Sequence, residues 1–292
     1  MEQNIIGEPQ LSHLLEFLIE LGSAADDFVL AGAQAMRFFV NEVRTTRDFD
    51  FVLDVIALRE TSQSIADVLE KLQYKVVPEA SRFQFFKQIP NSLEIMRVEF
   101  LAPEKEKRPN NFRVDVQQNI HARACTGAEI VLRESDCKII RGTLPNGKPA
   151  EASLRVICPH ALLMLKLFAM DDRYKNIRGP KEAQHDRDEA RIHAADIVTI
   201  VRSNIQSSDF KRLFLSQFSD EVKLKQRTLD IISNYFVDSN ASGILLYAEF
   251  LRMQGMAINE DDELKRALRE VKLLLPEQDL MKNKIVDKSR SD

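Results

Sequence analysis

Two aspartates separated by a single residue, in Arg47-Asp48-Phe49-Asp50-Phe51, carry the strongest chemical signal in the chain. Charged and apolar residues alternate from 47 to 55, which predicts a strand, and residues i and i+2 of a strand face the same way. Asp48 and Asp50 then present neighbouring carboxylates, whose repulsion costs stability unless a cation sits between them. An all-oxygen pair of this kind suits Mg²⁺, which binds through one or two carboxylates together with substrate phosphates. Two-ion phosphoryl transfer uses the same arrangement. Upstream, the apolar run Phe28-Val29-Leu30-Ala31 ends at Gly32. A glycine there lets the backbone approach a triphosphate, and the helix that follows offers N–H donors at its N-terminus.

The elements that must position these groups can be read from periodicity. Residues 11–22 have helical spacing (Leu11, Leu14, Leu15, Leu18, Ile19) and stop at Gly22. After the strand at 28–31, residues 33–41 read as a short helix. Residues 56–73 read as one helix with Ile65, Val68, Leu69 and Leu72 as its apolar stripe. Residues 82–88 and 93–101 read as strands separated by the turn Pro90-Asn91-Ser92. From 112 to 158 the pattern predicts short, punctuated strands, with a hairpin at Leu144-Pro145-Asn146-Gly147-Lys148. After Pro159 the character changes: His160–Met170 and 190–205 read as helices, and 209–273 holds several more. The expected architecture is α+β. A mixed sheet flanked by helices occupies 1–155, a helical domain 156–280, and a polar tail 281–292.

Composition narrows the class. The chain has 292 residues, 44% apolar and 29% charged, enough to bury a core unaided. Its three cysteines (Cys125, Cys137, Cys158) are far apart and fit a reducing cytoplasm better than a disulfide framework or a zinc site. The first residues lack the pattern of a signal peptide, and no apolar run approaches a membrane span. A net charge of −4 argues against a general nucleic-acid grip. The cations of 173–191 (Arg173, Lys175, Arg178, Lys181, Arg187, Arg191) are interleaved with acids and read as a solvated face. Neither a G-x-x-x-x-G-K-[ST] nor a G-x-G-x-x-G loop is present.

The order strand, Gly32, short helix, then Arg44-Thr45-Thr46-Arg47-Asp48-Phe49-Asp50 resembles the signature of the DNA-polymerase-β-like nucleotidyltransferases. Within that superfamily it is most similar to the AbiEii-type nucleotidyltransferase toxins. The resemblance covers roughly residues 25–200 and implies the polymerase-β-like fold. It further implies that Asp48 and Asp50 ligate Mg²⁺ (or Mn²⁺) and that Gly32, Ala33 and Gln34 hold the phosphates of an NTP, with Arg47 nearby. A third carboxylate belongs on a later strand. Glu99, in Met96-Arg97-Val98-Glu99-Phe100-Leu101, is the preferred candidate, as metal ligand or general base, and Asp115 is its rival. Pro159–Ala169 resembles the family's Pro…Lys-Leu-x-Ala helix, which places Lys166 against the triphosphate, and Arg173 stands where the family has an arginine. His193-Ala194-Ala195-Asp196-Ile197 resembles an Asp-x-x-Asp-Ile segment with His193 in place of the first Asp. The family's second Gly or Ser is Ala33 here, and Gln34 replaces a hydroxyl residue.

The resemblance implies transfer of a nucleoside monophosphate from an NTP to a hydroxyl on RNA, protein or a small molecule, with an antitoxin protein as partner. Each signal has a plainer structural alternative. The aspartates suit an exposed edge strand, Glu99 a surface position near Arg97, and Lys166 a lysine reaching for solvent from an apolar helix. Arg82 reads as a surface cation and His193 as a local helix contact with Asp196. A binding module that has kept the fold and lost turnover is the competing function.

Overall fold

In the computed structural model, residues 6–40, 43–44, 46–80, 82–90, 92–106, 112–176, 179–255 and 260–276 are described. Thr45, Asn91, Arg178 and the expected tail at 281–292 lie outside them. The chain divides into two compact units at Cys158, three residues beyond the expected boundary, because the last strand runs to Ile157.

The first unit opens with α1 (Gln10–Leu21), closed by Gly22 at φ +59°, and β1 (Phe28–Ala31). Next come α2 (Gly32–Met36), β2 (Asp48–Leu53), α3 (Val55–Glu60), α4 (Ile65–Lys71) and β3 (Lys75–Val76). They are followed by β4 (Gln84–Gln88), β5 (Ile95–Pro103), β6 (Arg113–Gln117), β7 (Ile120–Cys125) and α5 (Ala128–Arg133). A hairpin of β8 (Ser135–Thr143) and β9 (Pro149–Ile157) completes the unit. The sheet runs β3-β4-β5-β2-β1-β9-β8, with β7 on β5 and β6 on β7. It is mixed: β1–β9, β2–β5 and β5–β7 are parallel pairs, the others antiparallel.

Three sequence expectations are corrected here. The helix after Gly32 ends at Met36, far short of residue 41. Residues 56–73 form two helices instead of one. Asp54 accepts from the N–H of Ala57 and Ser64 from that of Asp67, so each helix has its own N-cap. Gln117 of β6 holds the gap open by donating to the carbonyls of Leu58 and Gln63 and accepting from the N–H of Ile65. Finally, β8 and β9 are nine residues each, not short, and α5 precedes them. Their turn carries Gly147 at φ +83°, which favours glycine.

One aromatic cluster organises the sheet. Phe17 of α1 meets Phe28 and Phe51 at ring distances of 6.0 and 5.9 Å; Phe28 lies 5.7 Å from Phe51 and 5.8 Å from Phe100. All four rings are fully buried. Since β2 alternates, burying Phe49 and Phe51 throws Asp48 and Asp50 onto the opposite face.

The second unit consists of α6 (Pro159–Lys175), α7 (Ala183–Asn204), α8 (Ser208–Ser216), α9 (Val222–Tyr235), α10 (Ser242–Met253) and α11 (Glu260–Lys272). Here α7 packs on α6, α10 and α11, and α6 also packs on α8 and α9. Gly243 of α10 permits a close crossing, since a Cβ there would stand 2.6 Å from the Tyr235 carbonyl oxygen. Among the described residues, no helix is long and apolar enough to cross a membrane.

Candidate active site

Strand pairing brings the expected carboxylates together. In the parallel β2–β5 register Asp50 lies opposite Glu99 and Asp48 opposite Arg97, so all four share one face of the sheet. Asp48 is exposed and Asp50 half-buried. Glu99 is engaged on both oxygens: one lies 2.6 Å from an Arg123 guanidinium nitrogen and the other accepts from the Gln84 amide. Among the described residues no three His, Cys, Asp or Glu side chains converge as a metal cluster. Asp48 and Asp50 are neighbours on β2, and Glu99 stands beside them in a clamp of Arg123 and Gln84. The rival Asp115 is on β6, which among the described residues pairs with β7 alone, and its carboxylate lies 3.1 Å from His121.

Gly32 is fixed by Asp50. Ala31 is the register partner of Asp50 across β1–β2, and Gly32 then turns into α2 at φ +63°. A Cβ on Gly32 would stand 1.8 Å from Asp50 Oδ2. The glycine thus supplies both the left-handed backbone and the space that the carboxylate fills. Ala33 is buried, and so is Gln34. Its amide donates to the Thr46 carbonyl at 3.0 Å, while Thr46 Oγ1 accepts from the N–H of Asp48 at 3.3 Å. Gln34 accordingly ties α2 to the segment that delivers Asp48, a positioning role for its side chain.

Beside Asp48, on the β5 side, Arg44, Thr46, Arg47, Leu93, Ile95 and Arg97 line a cavity of about 380 Å³. Arg47, expected near the nucleotide, lies here with a guanidinium nitrogen 3.3 Å from Glu94. Arg82 sits at φ +65° and bonds to Asn119.

Sequence reasoning missed Arg123 and Gln84. Nothing in Ile120-His121-Ala122-Arg123 marks the arginine, because its partner is set by strand order; the parallel pairing aligns Arg123 with Leu101, two residues beyond Glu99. Arg123 is pushed further into its charged form, first by Glu99, with Cys125 and Asp50 adding. Burial pushes the neighbouring Cys125 thiol up to about 11, which makes it a poor nucleophile at neutral pH.

In the helical unit Lys166 does not reach for solvent. It is buried, and its Nζ lies 2.7 Å from Asp196 Oδ2, also buried. His193 on the same helix has its Nε2 3.9 Å from Glu189. Arg173 is spent on the fully buried Asp186, with a 3.0 Å bond.

Two outcomes follow from this geometry. Gly32→Ala adds about 1–2 kcal/mol of left-handed backbone cost to a clash that displaces Asp50; thermal unfolding should show a lowered midpoint. An unchanged midpoint would contradict the packing. Lys166→Met strands a buried carboxylate and should cost about 3–5 kcal/mol in urea unfolding, much of it regained in Lys166→Met/Asp196→Leu. Equal stabilities of all three proteins would contradict a buried, coupled pair.

A family model described as nucleotidyl transferase AbiEii toxin, type IV toxin–antitoxin system, matches residues 14–271. No curated protein matches the chain. The match spans both units and includes every residue of the carboxylate face, so the chain belongs to the AbiEii nucleotidyl transferase toxin family of type IV toxin–antitoxin systems.

Proposed function

We propose that the chain is a Mg²⁺-dependent nucleotidyltransferase that moves a nucleoside monophosphate from an NTP to an acceptor hydroxyl. The observation that carries this is the pair Asp48/Asp50, with Asp50 packed into the space over Gly32 and Glu99 in register beside it. The donor set is all oxygen, and two carboxylates plus the substrate's phosphates suffice for Mg²⁺. When bound, the metal supplies charge neutralisation at the attacking and leaving oxygens. Mn²⁺ is the natural substitute.

The chain's own residues prepare this chemistry. Gly32 opens the backbone at the mouth of α2, whose first N–H groups have no partner within the helix and suit a phosphate. Gln34 fixes the approach to Asp48 through Thr46. Arg123 and Gln84 fix Glu99, which we assign to the acceptor hydroxyl as general base or as a further metal ligand. Lys166 and Arg173 are paired with Asp196 and Asp186 inside the helical unit, and this reading gives them no step in the transfer. The family setting makes an antitoxin protein the expected partner, in a reducing cytoplasm where the cysteines stay free.

The clamp on Glu99 favours one competing reading, a nucleotide-binding module without turnover. Incubation with each α-labelled NTP, Mg²⁺ and total cell RNA and protein separates the two. The transferase reading expects label in a macromolecule with the wild type and a loss of at least about 10²-fold in Asp48→Asn/Asp50→Asn, typical of removed charge stabilisation. Equal labelling by both proteins would refute the site. NTP binding without any labelling would favour the binding module.

A further inference from the structure

The sheet ends on a long strand with an open outer edge. Among the described residues β8 is terminal in the strand order and pairs with β9 alone. The other ends are short or capped: β3 has two residues, and on β6 the Arg59 guanidinium donates to the Asp115 carbonyl. By contrast β8 runs nine residues in unbroken register with β9. Its hydrogen-bond phase follows from the two ends of the hairpin. The N–H of Leu144 donates to the Lys148 carbonyl at 2.8 Å, and the N–H of Cys158 to the Glu134 carbonyl at 2.9 Å. Hydrogen-bonded pairs alternate along an antiparallel ladder, so the even-numbered residues of β8 face β9. Ser135, Cys137 and Ile139 therefore direct their N–H and C=O groups to the outer edge. Helix α1 covers only the later half of the strand: a Cβ on Gly142 would stand 2.9 Å from Leu15 and 3.0 Å from Leu11, and Ile140 is buried. Asp136, Cys137, Lys138 and Ile139 are all exposed, Ile139 at 52%.

An edge of this kind accepts another strand, and Ser135-Asp136-Cys137-Lys138-Ile139 is complementary to itself. When two copies pair antiparallel about a two-fold axis normal to the sheet, the axis passes through one residue position, and each contact occurs twice. With the axis at Cys137, Asp136 of each copy stands opposite Lys138 of the other. Those pairs fall in the closer, non-hydrogen-bonded positions, while Ser135, Cys137 and Ile139 supply the ladder. With the axis at Lys138, the two ammonium groups oppose each other, which is unfavourable. With the axis at Ile139 or Ile140, neither Asp136 nor Lys138 meets an opposite charge. Within one copy Lys138 and Asp136 lie 3.5 Å apart at 45% and 64% exposure, and Asp136 also shares a hydrogen bond with the Cys158 thiol. A solvated pair of that kind contributes little, so exchanging it for a cross-strand pair costs little. We propose that β8 is a homodimerisation edge, through which two copies of this chain pair antiparallel over residues 135–139, centred on Cys137. Since β9 and β1 lie between β8 and β2, the pairing extends the sheet at the end away from Asp48 and Asp50 and is independent of the transferase reading.

The test follows the full chain, kept reduced, by sedimentation velocity over a wide range of protein concentration. Wild type should pass from monomer to dimer. Lys138→Asp sets two pairs of carboxylates against each other across the axis, and Asp136→Lys two pairs of ammonium groups; each should weaken the dimer at least about tenfold. Asp136→Lys/Lys138→Asp brings opposite charges together again and should restore the dimer, a rescue that a merely structural effect on the hairpin would not give. Ile139→Pro removes an outward N–H and spares the β9 ladder, so it should give a monomer with unchanged far-ultraviolet circular dichroism. A short bis-maleimide should couple two copies of wild type and none of Cys137→Ser. A wild type that stays monomeric at every concentration overturns the proposal and leaves the edge to a strand of another protein. A dimer that ignores both charge reversals, that the double variant fails to restore, or that no reagent couples through Cys137 overturns it as well.

Discussion

The contact on which the site depends is between a carboxylate and a missing side chain. Asp50 Oδ2 occupies the volume in which any residue other than glycine at position 32 would carry its Cβ. Antiparallel pairing of β1 with β2 brings the two positions together, and parallel pairing of β2 with β5 then sets Glu99 on the far side of Asp50. The positions are held from beneath. Phe49, Phe51, Val98 and Phe100 are buried on the other face, so a slip of one residue would invert the carboxylates and the core together. The aromatic cluster is therefore what specifies where the charges emerge.

Charge compensation differs across the molecule, and the difference separates structural from chemical groups. Asp186 and Asp196 are buried and each has its own cation, Arg173 and Lys166. Arg202 is likewise shared between Glu263 and Glu270. Buried charges need such partners because burial alone costs several kcal/mol per ion. Asp48 and Asp50 lie on one face of β2, the first exposed and the second half-buried, where two neighbouring carboxylates favour a divalent cation.

Much of this was legible in the sequence because it is local. The Phe-x-Phe alternation of β2, the glycine after Phe28–Ala31 and the Asn146-Gly147 turn each act within a few residues. What was not legible depends on pairing at a distance. The break between α3 and α4 is held by Gln117, more than fifty residues away, and Thr61–Ser64 contains no glycine or proline to announce it. The tie from the Gln34 side chain to the Thr46 carbonyl joins positions twelve residues apart and is not marked by residue type. The Arg123–Glu99 pair and the gathering of Arg44, Arg47 and Arg97 beside Asp48 follow from strand order, which residue types alone do not reveal.

The central claim, that Asp48 and Asp50 form one metal-dependent nucleotide site, is tested most directly by electron paramagnetic resonance of Mn²⁺. Free Mn²⁺ would be titrated with the protein in the presence of an NTP, for wild type and for Asp48→Asn/Asp50→Asn. The account predicts that wild type removes the free-ion signal at protein concentrations where the double variant leaves it at the level of NTP alone. Equal uptake by the two proteins would contradict it and place the metal, if any, elsewhere in the chain.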